Sequence, residues 1–529
     1  LAHNNKKLNV KATGVIAIAV MISRVLGLIR EVLFNSLFGT ASMGLFLIAF
    51  RAPNLLRDLF AEGALSTSFI TVFSQKIERE GEASAWRLAA KILTLTTVFM
   101  SFISLLGVIF AKELIGVLAP GFSAPDAQTT ILLTQIMYPF ILLVSLAALV
   151  MGMLNSRNVF GVPAMASAFF NIGSIIGGTL FGWWMDPTFG ERALIGLSIG
   201  TLVGGLCQLA VQLPGLRHLG FNFRPDFHWR DRDVKKILLL TIPSVIAASA
   251  VQVNVLINSS FASYVGKEAV TWLNSAFRLM QLPIGVFGVA VATITLPVVS
   301  RIAANIDKTE FGPTLGKALR LALFLTLPAA VGLWFLADPI IGLIYQHGQF
   351  RAYDTAQTAV ALQFYALGLV AYSCIKVLAP GFYAIDKKWT PMMVSFGSII
   401  LNLSLNYFFV FQLGIGHKSL ALSTSISATV NFLTLYVLMR AHSHRLHTRR
   451  LFNTLLRCGL AAIALGSVCS YSLSKWTALL GHSQFGVRAI ALFGLIAVSG
   501  IVYFAVCALL RVEEMQEALA AIKRKLRSN

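Results

Sequence analysis

S-R-V-L-G-L-I-R-E-V-L-F-N-S-L-F-G-T-A-S-M-G-L-F-L-I-A-F-R-A-P-N-L-L-R-D-L-F, Ser23 to Phe60, is apolar enough to pass through a bilayer and yet carries Arg24, Arg30, Arg51 and Arg57. Arg278 sits in a later stretch of the same kind. On insertion scales an arginine at the centre of a spanning helix costs roughly 2.5 to 3.5 kcal/mol, so side chains in these positions face something polar rather than lipid tails. The same stretches bring only Glu31, Asp58 and Glu62 as counter-charges, while Lys376 adds a cation in a later span. The interior is left with an excess of about three positive charges, which an anionic passenger would balance.

The rest of the 529 residues agree with a chain solvated by lipid. Hydrophobic residues make up 57% and charged residues 12%, against about 25% charged in soluble globular proteins. Apolar windows predict fourteen spans, near 13–37, 42–72, 88–111, 128–154, 159–184, 192–214, 236–263, 269–300, 315–345, 355–384, 390–411, 418–440, 454–478 and 486–510. With both termini in the cytoplasm, thirty of the 43 Lys and Arg residues fall in inside loops and tails, Lys317 and Arg320 among them, and seven fall outside. That is the positive-inside pattern. The net charge of +21 is then explained by topology and attraction to anionic headgroups, and nucleic acid is not an expected partner. The first apolar run is too long, and too charged at Arg24 and Arg30, to be a cleavable signal peptide.

Little else in the chain carries chemistry. Cys207, Cys374, Cys458, Cys469 and Cys507 all lie in apolar spans and read as buried thiols. The histidines, including His442, His444 and His447, fall in tails or loops, and no metal site is expected. No P-loop, nucleophile elbow or paired-carboxylate pattern is present. The chain reads as a non-enzyme without a cofactor.

An internal repeat organises the spans. At an offset of 227 residues, F-N-S-L-F-G (Phe34 to Gly39) falls on F-A-S-Y-V-G (Phe261 to Gly266), Ala49-Phe50-Arg51 on Ala276-Phe277-Arg278, and Phe60 on Phe287. D-A-Q-T from Asp126 resembles D-T-A-Q-T from Asp354 at nearly the same offset. Six spans separate the copies, an even number, so the halves share one orientation. The predicted fold is an all-α polytopic membrane protein of 14 transmembrane helices, two six-helix lobes related by a pseudo-two-fold along the membrane normal plus two C-terminal helices. Its parts are an N-lobe over 1–222, a cytoplasmic linker over 223–236 and a C-lobe over 237–440. A basic linker over 441–453, two extra spans over 454–512 and a cytoplasmic tail over 513–529 follow.

At 1.5 Å per residue, Arg24 lies roughly 16 Å into its span and Arg51 and Arg278 about 14 Å into theirs, near mid-depth. Pro53, Gly27, Gly63, Pro283, Gly285 and Gly288 predict bends or breaks in these spans, which is tolerated where backbone lines a wet cavity. A hydrated, cationic cleft is expected. Arginine suits phosphate, because its planar fork donates two parallel hydrogen bonds and never loses its charge. Internal ion pairs of Arg30 with Glu31, and of Arg57 with Asp58 and Glu62, are the competing structural reading.

Four motifs in order carry a resemblance: S-R-V-L-G-L-I-R-E (Ser23 to Glu31), P-N-L-L-R-D-L-F-A-E-G-A-L (Pro53 to Leu65), W-L-N-S-A-F-R-L-M-Q-L-P-I-G-V (Trp272 to Val286) and K-V-L-A-P-G-F-Y (Lys376 to Tyr383). The chain resembles the MurJ/MviN family of the multidrug/oligosaccharidyl-lipid/polysaccharide exporter superfamily. The resemblance implies a flippase moving lipid II, the undecaprenyl-diphosphate-linked peptidoglycan precursor, from the inner to the outer leaflet of the bacterial cytoplasmic membrane by alternating access. It also implies substrate-binding roles for Arg24, Arg30, Arg57 and Arg278, a lipid-tail groove on the two extra spans, and the cell-wall synthesis machinery as a candidate partner. Membrane potential would drive turnover, with the coupling ion left open. Some relatives hold a sodium ion between spans 7, 11 and 12, where Asn254, Asn402, Asn406 and Thr424 stand here; interhelical hydrogen bonding is the plainer role for these neutral groups. A flippase for another polyprenyl-diphosphate oligosaccharide is the nearest alternative, and a drug/cation antiporter, whose cavity should carry excess acid, fits less well.

Overall fold

A break at Gly39 sets the geometry of the N-terminal third. The helix Val10–Leu56 (α1) passes through Gly39 at φ 72° and ψ 167°, a left-handed, extended conformation that interrupts it and that only glycine adopts without strain. Gly266, its partner in the sequence repeat, also has positive φ, 146°, and caps the helix Arg232–Val265. Each copy of the repeat therefore breaks or ends a helix at a glycine corner. Ten residues on, Ala49 and Ala276 are both fully buried.

The computed structural model describes residues 10–59, 65–305, 309–443, 446–481 and 484–527. Glu62, Gly63, Phe60, Lys308, His444 and Arg445 lie outside them. The described residues form helices joined by turns and short linkers, without strands. After α1 come Leu65–Glu80 (α2), Glu82–Ile109 (α3), Ala111–Leu118 (α4), Ala124–Met137 (α5), Phe140–Ser156 (α6), Gly161–Met185 (α7), Ala193–Ala210 (α8), Leu213–His218 (α9) and Arg232–Val265 (α10). Then follow Lys267–Pro283 (α11), a π-helical turn at Ile284–Gly288, Val289–Ala304 (α12), Phe311–Phe335 (α13), Ala337–Tyr345 (α14), Ala352–Ala366 (α15), Leu369–Ala384 (α16) and Trp389–Tyr407 (α17). A second π-helical turn at Phe408–Gln412 leads to His417–His442 (α18), Thr448–Lys475 (α19), Thr477–Leu480 (α20), Phe485–Leu509 (α21) and Glu513–Arg527 (α22). Among the described residues, eleven helical segments are long and apolar enough to cross a membrane, or twelve with the pair Ala352–Ala366 and Leu369–Ala384, bent by 44°. The protein is a multi-pass membrane protein.

Two predicted spans contain a helix break: that at 315–345 divides at Leu336, and that at 128–154 is interrupted at Tyr138 and Pro139 yet remains one apolar segment, Ala124–Ser156. In both, a proline follows closely (Pro139, Pro339) and cannot donate the next helical hydrogen bond. The tail at 513–529 is helical as α22 over Glu513–Arg527.

By contacts the chain forms two compact units, Leu1–Thr271 with His347–Gln349, and Trp272–Gln346 with Phe350–Asn529. In the first, α7 and α8 meet along glycines. A Cβ on Gly200 would lie 2.1 Å from the Gly178 nitrogen, and one on Gly196 2.2 Å from the Phe181 carbonyl carbon, so the two backbones touch directly, as small residues allow between helices in lipid. A second close seam joins the glycine corners. The Thr271 hydroxyl donates to the Thr40 carbonyl at 2.7 Å, Lys267 pairs with Asp126 at 2.7 Å, and a Cβ on Gly44 would stand 1.9 Å from the Lys267 oxygen. The Gln349 amide donates to Ser36 at 2.8 Å.

The linker before α10 is docked rather than loose. Phe221 is buried and packs on Trp86 with ring centroids 5.2 Å apart, the Asp226 amide donates to the Thr94 hydroxyl, and Lys91 and Lys76 pair with Asp231 and Asp233. Asp231 also caps α10 by accepting from the Asp233 amide. Burial pushes the Asp231 carboxyl up, but hydrogen bonds from Lys91 and the Asp233 amide outweigh it and hold the group below the usual aspartate range. A carboxyl depressed on folding stabilises above its unfolded value and ceases to do so as pH falls through the folded one. Hydrogen exchange of amides 223–231, corrected for intrinsic rate, is therefore expected to be slow at neutral pH and to quicken below about pH 4. Asp231→Asn should exchange rapidly already at pH 7.

Candidate functional site: arginines in apolar helices

Arg24, Arg30, Arg51 and Arg57 all belong to the first unit, with Glu31 and Asp58. Arg24 is exposed, whereas Arg30, Arg51 and Arg57 are half-buried and Glu31 is buried. Arg30 lies over the ring of Phe170 at 4.9 Å, in cation–π range. That ring ends a row of aromatics running from Phe46 through Phe50 and Phe140, with successive centroids 5.2 to 6.0 Å apart. The row gives the guanidinium a fixed apolar platform. Beside it, Asn171 donates to the Ser23 carbonyl at 3.1 Å, tying α7 to α1 one residue before Arg24.

Arg51 and Arg57 flank Pro53. Proline lacks an N–H and leaves the carbonyl four residues earlier without its helical donor; the Thr134 hydroxyl approaches that carbonyl, Ala49 O, at 3.4 Å. Just after this interruption residues 57–59 widen into a π-helical turn, a form common at functional positions. Within the turn Arg57 donates to Asp58 Oδ1 from Nε at 3.2 Å and Nη2 at 2.9 Å, and Gln252 of α10 donates to Asp58 Oδ2 at 3.3 Å. The ion pair of Arg57 with Asp58 expected as the competing role is thus formed. Glu62, its other expected partner, lies outside the described residues.

Arg278 belongs to the second unit, half-buried on α11 between the buried Ala276 and Met280 and ahead of the π-helical turn at Ile284. Lys376 is exposed. Of the candidate ion ligands, Asn402 and Asn406 are buried together, with Asn406 Nδ2 donating to Asn402 Oδ1 at 3.1 Å and Ser423 donating to Asn406. Thr424 donates to its own helix at the Leu420 carbonyl, and Asn254 belongs to the other unit. No cluster of three or more His, Cys, Asp or Glu side chains suited to a metal occurs among the described residues.

Three contributors escaped the sequence reading. Phe170 and Asn171 were hidden in an apolar run, and Gln252 was passed over although it lies two residues from Asn254 in the same span. A polar side chain mid-span was the available signal for Asn171 and Gln252.

The family model described as lipid II flippase MurJ matches residues 34–492. The chain belongs to the MurJ family. Its sequence is 32% identical over 501 residues to the probable lipid II flippase MurJ of Buchnera aphidicola subsp. Acyrthosiphon pisum, covering 92% of this chain and 94% of that one. A solved MurJ lipid II flippase in an inward closed conformation superposes with TM-score 0.74 at 25% identity, covering 93% of this chain and 98% of the other. An inward-facing multidrug resistance MATE family transporter of the MOP superfamily shares the fold, with TM-score 0.66 at 16% identity over 81% of this chain and 97% of its own. MurJ proteins are transporters, and a member of the family is not an enzyme.

Proposed function

We propose that this chain is a lipid II flippase that carries the diphosphate-linked headgroup from the cytoplasmic to the outer leaflet of the bacterial inner membrane by alternating access. The observation that carries the reading is the presence of five arginines inside apolar helices of a MurJ-family chain. Moving a diphosphate through hydrocarbon is the dominant barrier, and a hydrated path lined by Arg24, Arg30, Arg51, Arg57 and Arg278 lowers it by supplying fixed charge-assisted donors. Asp58 holds part of that charge in place through Arg57, and Glu31 and Glu62 are its further proposed acidic partners. Arg30 on its aromatic platform suits the task, since the ring orients the fork without neutralising it.

The proposed fourteen crossings are the eleven apolar segments and the bent α15–α16 pair, supplemented by a second passage in Ile18–Leu59 after Gly39 and by α10. The 42 residues of Ile18–Leu59 favour two passages, because at 1.5 Å per residue they would reach about 63 Å against a core of about 30 Å. The two six-helix lobes (1–222 and 237–440), the linkers at 223–236 and 441–453, and a lipid-tail groove on residues 454–512 complete the proposed architecture, with both termini cytoplasmic. Closure by the glycine corners around Gly44 and Lys267 would seal the outer end of the path, and breaking that seam would release the headgroup. A negative-inside potential favours outward movement of an anion, at about 2.3 kcal/mol per charge per 100 mV. The coupling ion is left open: Asn402 and Asn406 are engaged with each other and with Ser423, and Thr424 with its own helix, which favours the plainer hydrogen-bonding role for these groups.

The test is lipid II exposure at the outer leaflet in cells depleted of their own flippase. This chain is expected to restore exposure and growth. If it does neither while inserted at normal abundance, another polyprenyl-diphosphate substrate takes the place of lipid II.

A further inference from the structure

Arg320, counted by the sequence reading among solvent-side cations, is instead one of the most buried charges in the second unit. Its residue is 3% exposed, and Nε donates to Glu514 Oε1 at 2.6 Å, with Glu514 6% exposed. Glu514 also accepts from the Thr454 hydroxyl at 3.4 Å, and Glu513 stands 3.5 Å from Arg320 Nη2. Three elements thus converge on one carboxylate: α13 through Arg320, α19 through Thr454, and α22, which carries it. The turn that brings Glu514 inward is itself built. Arg511 takes a left-handed φ of 51°, its carbonyl accepts from Arg457 Nη1 at 2.9 Å, and Val512 is buried. One helical turn along α13 from Arg320, the Phe324 carbonyl accepts from the Tyr503 hydroxyl of α21 at 2.8 Å. Two successive turns of α13 therefore clasp the two helices that lack a counterpart in the sequence repeat.

A buried ion pair is poor value as a stabiliser, because taking both charges out of water offsets most of their attraction and a well-packed apolar pair does as well. What it supplies is a single geometry. We infer that Arg320 and Glu514 are positioning residues for transport: the pair fixes the near ends of α19 and α21 to α13, so that the apolar surface those helices offer to a polyprenyl tail keeps one shape. This rests on the tail-groove reading proposed above. Loosening the joint weakens capture of a long tail and leaves the headgroup step alone.

The experiment compares flipping of lipid II with its undecaprenyl tail and of an analogue with a short prenyl tail by the full chain in proteoliposomes. Glu514→Gln and Arg320→Gln are expected to raise the half-saturating concentration of the long-tailed substrate roughly fivefold or more, with maximal rate little changed and the short-tailed substrate unaffected. Arg320→Lys, which keeps the charge, should restore most of the loss. An equal decline for both lipids, or no change in correctly folded variants, overturns the inference. A second readout stands apart from transport: nitroxides on the exposed Glu310, at the start of α13, and Ala520, on α22, should give a narrow distance distribution that broadens in Glu514→Gln. If the parent moves neither lipid, the flippase reading falls. If it does not discriminate between tails, the groove reading falls. In either case a distribution unchanged by Glu514→Gln refutes the joint as well, and a broadened one upholds it.

Discussion

Arg24→Ala and Arg278→Ala are expected to abolish lipid II flipping while the protein still inserts and accumulates normally. Each removes a fork able to donate two charge-assisted hydrogen bonds, worth about 1.5 to 3 kcal/mol apiece, so the loss should be on the order of a hundredfold to ten-thousandfold per residue. Arg24→Lys and Arg278→Lys keep the charge but lose the planar fork, and intermediate rates are expected. Arg57 should matter less than either, because Asp58 already neutralises much of its charge at 2.9 Å. Arg57→Ala combined with Asp58→Asn should accordingly be milder than Arg24→Ala alone. Arg30 gives a further contrast: Phe170→Leu removes the platform at 4.9 Å and leaves the arginine, and should cost activity in proportion to the orientation lost, on the order of the 0.5 to 2 kcal/mol of a cation–π contact. Translocation in cells depleted of their own flippase, at matched membrane abundance, checks the series. Full activity in Arg24→Ala and Arg278→Ala would make these arginines structural and remove the basis of the cationic path.

What could be read from sequence follows from how each feature is encoded. Hydropathy averages over about 19 residues, so long apolar elements such as α3, α7 and α21 emerge close to their observed ends, whereas interruptions of one or two residues at Tyr138 and Leu336 vanish into the average. The glycine corners at Gly39 and Gly266 were legible as a repeat, because identical spacing requires no knowledge of what the glycine does; their positive φ explains why glycine is needed. Mid-span arginines were legible because their cost in lipid is large and local. Arg320 and Glu514 were not, since 194 residues separate them and each alone looks like an ordinary cation or acid beside the membrane surface. The aromatic row beneath Arg30 was equally hidden: Phe46, Phe50, Phe140 and Phe170 count only as apolar residues until three helices bring them together.

The α7–α8 seam was missed for a related reason, and it should be a fragile place in the first unit. Gly173, Gly177, Gly178 and Gly182 on one helix face Gly196, Gly200 and Gly204 on the other, a four-residue glycine spacing that hydropathy scores barely register. A methyl group at Gly200 would enter to 2.1 Å from the Gly178 nitrogen and 2.4 Å from its Cα, both backbone atoms that cannot swing aside. The helices would have to separate. Overpacking of this kind costs about 1 to 3 kcal/mol and sometimes more, and with backbone on both sides Gly200→Ala is expected at the upper end, with Gly200→Leu giving no folded protein. Gly494→Ala supplies the control of opposite sign, because nothing lies within 4 Å of its Cβ position on α21 and alanine gains about 1 kcal/mol of helix propensity over glycine. Thermal unfolding of the detergent-solubilised proteins should rank Gly494→Ala at or above the parent and Gly200→Ala well below it. The damage should also reach transport. Phe170 and Asn171 lie on α7 beside this seam and hold Arg30 and the Ser23 carbonyl, so whatever Gly200→Ala protein still folds should flip lipid II more slowly than its abundance predicts. Flipping that scales with abundance alone would mean that α7 tolerates displacement without moving the arginines, and that the platform is not what orients Arg30.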